Sequence, residues 1–131
     1  MLSATELLAA ARTARERAYA PYSNFAVGAA LLTKSGAVVL GANVENASYP
    51  VGICAERSAL FAAVSQGHRA FDAIAIMGPE GVPLSPCGAC RQALSEFGLD
   101  IRVIREGAND VRLGDLLPDA FGPANLERAR I

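Results

Sequence analysis

Two cysteine-bearing segments constrain the fold of this chain most, because their thiols must meet in space if they act together. The first segment is Cys54-Ala55-Glu56 and the second is Pro86-Cys87-Gly88-Ala89-Cys90. Three thiolates are one ligand short of a closed structural zinc site, so a fourth position stays open for water. A glutamate two residues from the first thiol is placed to move a proton to or from that water. We therefore predict a catalytic zinc site with its own general base.

The local spacing of these residues supports convergence on one metal. Cys87 and Cys90 share one face of a first helical turn, and Cys54 stands at the start of another predicted helix. Each helix N-terminus carries about half a positive charge, which offsets the negative charge of three thiolates. Arg57 and Arg91 lie close enough in sequence to donate to the sulfurs. The alternative is that both arginines are solvated surface groups.

A closed structural zinc site would need a fourth ligand, and the one histidine of the chain is His68. It follows Gln66-Gly67 at a predicted helix end, far along the helix axis from Cys54. We expect His68 to be a surface group or a charge at the helix C-terminus rather than a metal ligand.

Length and composition predict one domain over residues 1–131. The hydrophobic fraction is 52%, and the mean hydropathy is positive. This apolar surplus is high for so small a domain, so we expect part of it to face partner subunits. The formal net charge is −1, with 12 basic and 13 acidic residues and no basic run, which argues against a nucleic-acid binder.

The start of the chain does not resemble an export signal. The stretch from Met1 to Ala11 lacks a basic region, and Glu6 interrupts its apolar residues. No apolar run reaches the roughly 20 residues of a membrane span, so no membrane association is expected. An odd set of three cysteines fits reduced thiols that hold a metal better than a disulfide framework. These features predict a cytoplasmic protein.

Hydrophobic periodicity and turn residues predict helices that alternate with buried strands. The predicted helices run from the capping box Ser3-Ala4-Thr5-Glu6 to about Ala18, from Cys54 to Gln66 and from Gly88 to Phe97. The predicted strands are Phe25–Thr33 and Ala37–Ala42 as a hairpin, Phe71–Met77, Ile101–Ile104 and a short edge strand at Val111–Leu113. A short helical pattern and a charged tail complete the chain from Gly114 to Ile131. This order predicts an α/β fold, a three-layer α/β/α sandwich with a mixed sheet of about five strands.

Five segments carry a resemblance to a known family. They are Tyr22–Ala30, Gly41–Pro50, Ile53–Arg57, Pro86–Gln92 and Leu116–Pro123. Together they resemble the zinc-dependent nucleoside deaminases, in particular the small homotetrameric cytidine deaminases. The resemblance runs almost continuously from Tyr19 to Pro123, although Arg105–Leu113 is short for the last hairpin of the family.

The resemblance implies the ligands and the reaction. Cys54, Cys87 and Cys90 would ligate one Zn²⁺ per subunit, and Glu56 would be the catalytic proton shuttle. Zinc-activated water would attack C4 of cytosine in cytidine or 2′-deoxycytidine. The products would be uridine or 2′-deoxyuridine and ammonia, a reaction of pyrimidine salvage.

The resemblance also implies contacts with the sugar of the nucleoside. Asn43 and Glu45 would bind the ribose, with Glu45 accepting a hydrogen bond from the 3′-hydroxyl. A carboxylate at that place would repel a 3′-phosphate, which disfavours DNA and RNA as substrates. Considered without the resemblance, both residues fit ordinary loop polarity, since Asn is a common turn former.

Five further residues would surround the base. Phe25 would pack against the nucleoside, although a lone aromatic at a strand start is usually core filling. The Ala55 N–H would donate to the pyrimidine carbonyl, and the Ser85 carbonyl would accept from the exocyclic amine. Tyr49 and Phe121 would come from neighbouring subunits of a homotetramer, with Phe121 stacking near the base.

Three other functions compete with this interpretation. The first is deamination of a cytosine-containing antibiotic such as blasticidin, and the ribose-like loop Asn43-Val44-Glu45-Asn46 favours the nucleoside instead. The second is a non-catalytic structural-zinc module, which has no use for the carboxylate of Glu56. The third is a polynucleotide editor, which would need a basic surface.

Overall fold

A five-stranded mixed sheet forms the middle layer of the computed structural model, which describes residues 2–129. The helices are α1 (Ala4–Arg15), α2 (Ala55–Ser65), α3 (Gly88–Ser95) and α4 (Pro123–Ala129). The strands are β1 (Gly28–Thr33), β2 (Val38–Ala42), β3 (Phe71–Met77), β4 (Arg102–Arg105) and β5 (Val111–Arg112). Single 3-10 turns occupy Tyr49–Val51 and Leu113–Leu116. The strand order is β2-β1-β3-β4-β5, with only the β3–β4 pair parallel. The predicted fold class is confirmed.

The sheet is covered by helices on both faces, which explains why every residue of the interior strand β1 is buried. Successive strand residues point to opposite faces. Ala30 packs with Leu7 and Ala11 of α1. Leu31 packs on the other side, in the core that includes Leu60 of α2. The three layers therefore follow from one strand that is apolar on both faces.

Two glycines allow helices to approach the sheet closely. A Cβ added at Gly28 would lie 2.0 Å from the carbonyl oxygen of Ala11 in α1. A Cβ added at Gly41 would lie 2.3 Å from the backbone nitrogen of Ala59 in α2. Helix α2 thus rests directly on β2, and this contact helps to place its N-terminus, where Cys54 lies.

The capping box at the start of α1 is confirmed. The Ser3 hydroxyl accepts from the Glu6 N–H at 3.2 Å, and the Glu6 carboxylate accepts from the Ser3 N–H at 3.0 Å. The predicted end near Ala18 was wrong, since α1 ends at Arg15. In the next residues, 16–18, each backbone N–H donates to the carbonyl three residues earlier. Tyr19 then forms a β-bridge with Val44 beside the sheet.

Several other element ends differ from prediction, and three of these differences have a visible structural cause. Strand β1 begins at Gly28 rather than Phe25, since the backbone of the preceding segment bonds to a side chain. Helix α3 ends at Ser95 rather than Phe97, three residues before Gly98, whose φ is +143°. Leu113 starts a 3-10 turn instead of ending β5, and its N–H bonds to the Ile101 carbonyl at 2.8 Å.

The C-terminal segment is more ordered than the predicted charged tail. Helix α4 spans Pro123–Ala129, and the last two residues of the predicted tail lie outside the described range. Within residues 2–129, no helix combines the length and the apolar character that a membrane span requires.

Candidate active site

The three cysteines converge at the N-termini of two helices. Cys54 is the N-cap of α2, Cys87 is the N-cap of α3, and Cys90 lies in the first turn of α3. The Sγ atoms of Cys54 and Cys87 are 3.7 Å apart, and those of Cys87 and Cys90 are 3.4 Å apart. The ligand atoms of all three lie within 4.8 Å of one another. His68 does not belong to this cluster.

The spacing and chemistry of this cluster fit zinc. Tetrahedral zinc with Zn–S bonds of about 2.3 Å would separate its sulfur ligands by about 3.8 Å. The observed separations are close to that value, and thiolates are ligands that zinc prefers. Three protein ligands leave the fourth tetrahedral position for water or substrate, which is the pattern of catalytic rather than structural zinc sites.

The two helices that carry the thiols have no conventional N-terminal cap. Neither Cys54 nor Cys87 makes a side-chain capping hydrogen bond, whereas Ser3 of α1 does. Their first N–H groups and the positive ends of both helix dipoles therefore remain directed at the sulfur cluster. A cluster of negative thiolates is stabilised by this field.

Of the two arginines predicted to offset the thiolate charge, Arg57 contacts a sulfur. Its Nη2 lies 3.7 Å from the Cys54 Sγ, and hydrogen bonds to Cys54 and then Cys90 raise the pKa of its guanidinium. Arg91 donates instead to the Pro86 carbonyl at 2.8 Å, the Leu116 carbonyl at 2.9 Å and the Ser85 hydroxyl at 3.2 Å. Arg91 thus braces the loop that enters α3.

Glu56, the second residue of α2, is buried beside the sulfur cluster. Its relative exposure is 5%, and burial raises the pKa of its carboxyl above the ordinary value. Burial, followed by the charge of this same carboxylate, raises the pKa of the Cys90 thiol. Burial opposes ionisation of Cys87 as well, but hydrogen bonds from Cys90 and Cys54 outweigh it and lower the pKa of that thiol. A buried carboxyl group with a raised pKa therefore lies close to the sulfur cluster.

A cleft of about 570 Å³ opens next to Cys54. Among the residues predicted from the sequence, its lining includes Asn43, Glu45, Tyr49, Cys54 and Arg57. The structure therefore brings the predicted ribose residues and one metal ligand to the same cavity.

Four other predicted substrate residues do not line this cleft. Ala55 is fully buried, and Ser85 is exposed in the loop before α3. Phe25 and Phe121 are exposed to 40% and 60%. The backbone of Phe121 is fixed, since its carbonyl accepts from Gln92 Nε2 at 2.9 Å, and its ring is left outside.

Both the oxygen and the nitrogen of the Asn43 side-chain amide make hydrogen bonds to the backbone. Its Oδ1 accepts from the Val27 N–H at 2.8 Å, and its Nδ2 donates to the Phe25 carbonyl at 2.8 Å. This side chain therefore braces the segment that leads into β1, a role that the sequence did not indicate.

Glu45 braces the same segment further upstream. Its Oε1 accepts from the Tyr22 N–H at 2.9 Å and the Ser23 N–H at 3.1 Å, and its Oε2 accepts from the Ser23 hydroxyl. The Ser23 hydroxyl, with help from the two N–H groups and against partial desolvation, lowers the pKa of the Glu45 carboxyl. The cleft thus holds a carboxylate whose ionised form is favoured by hydrogen bonds.

Tyr22 and Ser23 are site residues that sequence reasoning missed. Both line the cleft, and the Tyr22 ring lies 5.9 Å from the Tyr49 ring, measured between centroids, at a tilt of 58°. A signal was present, because Pro21 and Asn24 mark a turn before an apolar strand. Asn24 adopts a φ of +54°, a conformation that Asn tolerates better than most residues.

A family model described as the cytidine and deoxycytidylate deaminase zinc-binding region matches residues 1–106. A cytidine deaminase of Sporosarcina psychrophila is 43% identical over 129 residues, which cover 95% of each chain. A cytidine deaminase of Halalkalibacterium halodurans is 48% identical over 120 residues, covering 88% of this chain and 91% of the relative.

Solved structures show the same similarity. The cytidine deaminase of Burkholderia pseudomallei superposes with a TM-score of 0.87 at 51% identity, covering 92% of this chain and all of the other. That of Mycobacterium tuberculosis superposes with a TM-score of 0.85 at 45% identity, covering 93% and 99% of the two chains.

Proposed function

Because this chain belongs to the cytidine and deoxycytidylate deaminase zinc-binding family, we propose that it hydrolyses cytidine and 2′-deoxycytidine to uridine and 2′-deoxyuridine with release of ammonia. The family makes it a zinc-dependent enzyme, and the cluster Cys54, Cys87 and Cys90 is able to hold the ion. One observation carries the proposal. A three-thiol cluster lies at two uncapped helix N-termini, beside a buried glutamate and next to an open cleft.

Glu56 is the proposed proton carrier. Zinc supplies a Lewis acid that lowers the pKa of water toward neutrality when it is bound. Glu56 then accepts a proton from the attacking water, whose oxygen adds to C4 of cytosine. The same carboxyl delivers the proton to N3 and then carries the remaining proton of the added hydroxyl to the amino group, so that the C4–N bond breaks, the C4 carbonyl forms and ammonia leaves. Water and cytidine are thereby converted to uridine and ammonia.

Backbone groups near the metal ligands hold the base in this proposal. The first intrahelical bond of α2 runs from the Ser58 N–H to the Cys54 carbonyl at 3.0 Å. The Ala55 N–H precedes it and has no acceptor within the helix, and it is the donor proposed for the pyrimidine carbonyl. The Ser85 carbonyl accepts from the exocyclic amine, and Arg91 holds the Ser85 side chain in place.

The sugar is bound by Glu45 and Asn43, which line the cleft. The Glu45 carboxylate accepts a hydrogen bond from the 3′-hydroxyl. Because hydrogen bonds favour the ionised form of this carboxylate, a 3′-phosphate would meet like-charge repulsion. The expected substrate is therefore a free nucleoside, and this pair of residues also favours it over a cytosine-containing antibiotic.

Assembly is proposed to complete the pocket. Tyr49, Val51, Phe61 and Phe121 are each at least half exposed in the single chain, an unusual amount of apolar surface for a small soluble protein. We propose a homotetramer of single-domain subunits in which Phe121 stacks near the base in a neighbouring site. Reduced zinc thiolates fit the cytosol as its compartment.

The decisive test is a spectroscopic assay of cytidine conversion to uridine, with and without a zinc chelator. Removal of zinc should abolish turnover and added zinc should restore it, while the far-ultraviolet circular dichroism is retained. Glu56→Gln should keep its zinc and lose turnover by at least about 100-fold, because a proton carrier is removed. The matched control is Glu16→Gln, which changes an exposed glutamate at the end of α1 and should turn over normally. Near-normal turnover in Glu56→Gln would contradict the assignment.

A further inference from the structure

The Ser23 hydroxyl connects the proposed ribose carboxylate to the backbone of the residue proposed to pack against the nucleoside. It donates to Glu45 Oε2 and accepts from the Phe25 N–H at 3.0 Å. We propose that Ser23 is a positioning residue, which orients Glu45 toward the 3′-hydroxyl and thereby sets selectivity for that group. This inference rests on the proposed function of Glu45.

Counting acceptor sites explains why orientation matters. A carboxylate offers about four lone-pair directions. The Tyr22 N–H, the Ser23 N–H and the Ser23 hydroxyl fill three of them. One lone-pair direction of the Glu45 carboxylate remains. A ligand hydroxyl would therefore meet one acceptor in a fixed orientation rather than a carboxylate that rotates freely. Loss of the Ser23 hydroxyl would leave Oε2 without a fixed partner, and substrate binding would then have to order the carboxylate.

The hydroxyl of Ser23 has no free hydrogen to lend to the substrate itself. Its one hydrogen is used on Glu45, and one of its lone pairs is used on Phe25. Ser23 therefore has no hydrogen to donate to the substrate, and its proposed action is exerted through Glu45. The neighbouring backbone is independently held, because Asn43 bonds to the Phe25 carbonyl and the Val27 N–H.

Because the hydrogen bonds of Ser23 are exposed, a measurement of stability distinguishes a positioning role for Ser23 from a structural role. Ser23, with its bonds to Glu45 and Phe25, lies at the exposed rim of the cleft. Hydrogen bonds in contact with water contribute little net stability, because water replaces the lost partner. Removal of the hydroxyl should therefore leave the thermal midpoint within about 2 °C of that of the unaltered protein while changing substrate affinity.

The experiment compares cytidine, 2′-deoxycytidine and 2′,3′-dideoxycytidine as substrates of Ser23→Ala. We expect KM for the first two to rise about 10-fold, with kcat changed less than about 2-fold, because a hydrogen bond to a charged group is loosened. The dideoxy substrate lacks the 3′-hydroxyl, so its kinetics should change less than about 2-fold. Ser23→Thr keeps a hydroxyl and should restore the KM for cytidine.

One control variant and two further measurements accompany that comparison. Ser65→Ala removes an exposed hydroxyl at the far end of α2 and should leave all three substrates unaffected. Hydrogen exchange of the Phe25 amide should become faster in Ser23→Ala, because its acceptor is lost. In the double variant of Ser23→Ala with Glu45→Gln, KM for cytidine should be no worse than in Glu45→Gln alone.

The outcomes that overturn the inference differ from those that overturn the proposed function. An unchanged KM for cytidine in Ser23→Ala, an equal penalty on the dideoxy substrate, or no rescue by Ser23→Thr rejects the positioning role alone. A Glu45→Gln variant without any penalty on cytidine rejects the ribose assignment and the inference together. Absence of cytidine turnover by the unaltered protein rejects the proposed function itself.

Discussion

Arg57 and Arg91 follow thiol ligands closely in the chain, yet their guanidinium groups have different partners. Arg57 lies 3.7 Å from the Cys54 sulfur, whereas Arg91 bonds to the loop before α3 and to Leu116. Both helices direct their first turns toward the cluster, but the side chain of Arg91 turns back along the loop before α3 and bonds to Pro86 and Ser85 there. A single-residue comparison can therefore separate charge compensation from loop bracing.

We expect Arg57→Gln to weaken zinc binding by about 10- to 100-fold, the usual cost of losing a group that supports metal ligands. Arg91→Gln should retain its zinc affinity and instead lower the thermal midpoint, since three hydrogen bonds are lost. Competition with a chromophoric chelator measures the first effect and calorimetry the second. Equal losses of zinc affinity in the two variants would contradict this division of roles.

At the scale of elements, the site depends on how closely α2 approaches the sheet. The first turn of α2 follows Cys54 and supplies Glu56. Further along the same helix, Ala59 packs against Gly41 of β2. Gly41 is needed for its lack of a side chain rather than for a special backbone angle. The position of one metal ligand is thus set by a contact between two elements.

Gly41→Ala should destabilise the protein by about 1–3 kcal/mol or more. The added Cβ would overlap backbone atoms of α2, which cannot move unless the helix itself shifts. Chemical denaturation measures this loss. Gly88→Ala is the matched control, since a Cβ there meets no atom within 4 Å and alanine favours a helix. A Gly41→Ala variant as stable as that control would show that α2 does not rest on β2 as closely as described.

At the scale of the whole molecule, the single chain leaves large apolar side chains exposed. Tyr49 is 74% exposed and Phe121 is 60% exposed, although the remaining core is well covered. In the proposed homotetramer these rings are buried between subunits, and each site combines the metal and Glu56 of one chain with Phe121 of another.

Complementation tests this shared pocket. Glu56→Gln and Phe121→Ala should each be strongly impaired as pure tetramers. Mixed tetramers should regain part of the activity, because some sites then combine an intact Glu56 with an intact Phe121 from a neighbour. Sedimentation should show tetramers in every sample. A fully active monomer, or no recovery on mixing under conditions that exchange subunits, would contradict the shared site.

The sequence alone determined the features that are local or set by residue chemistry. Thiol spacing, helix starts at Cys54 and Cys87, the capping box of α1 and the apolar strands all follow from neighbouring residues, and they sufficed to predict the layers and the zinc ligands. Only the tertiary structure decided the bonds between Ser23 and Glu45, the partners of the two arginines and the true ends of the elements. The bonds of Ser23 to Glu45 and of Arg91 to Leu116 join distant parts of the chain, and the nearer partners of both arginines are selected by packing rather than by any local pattern.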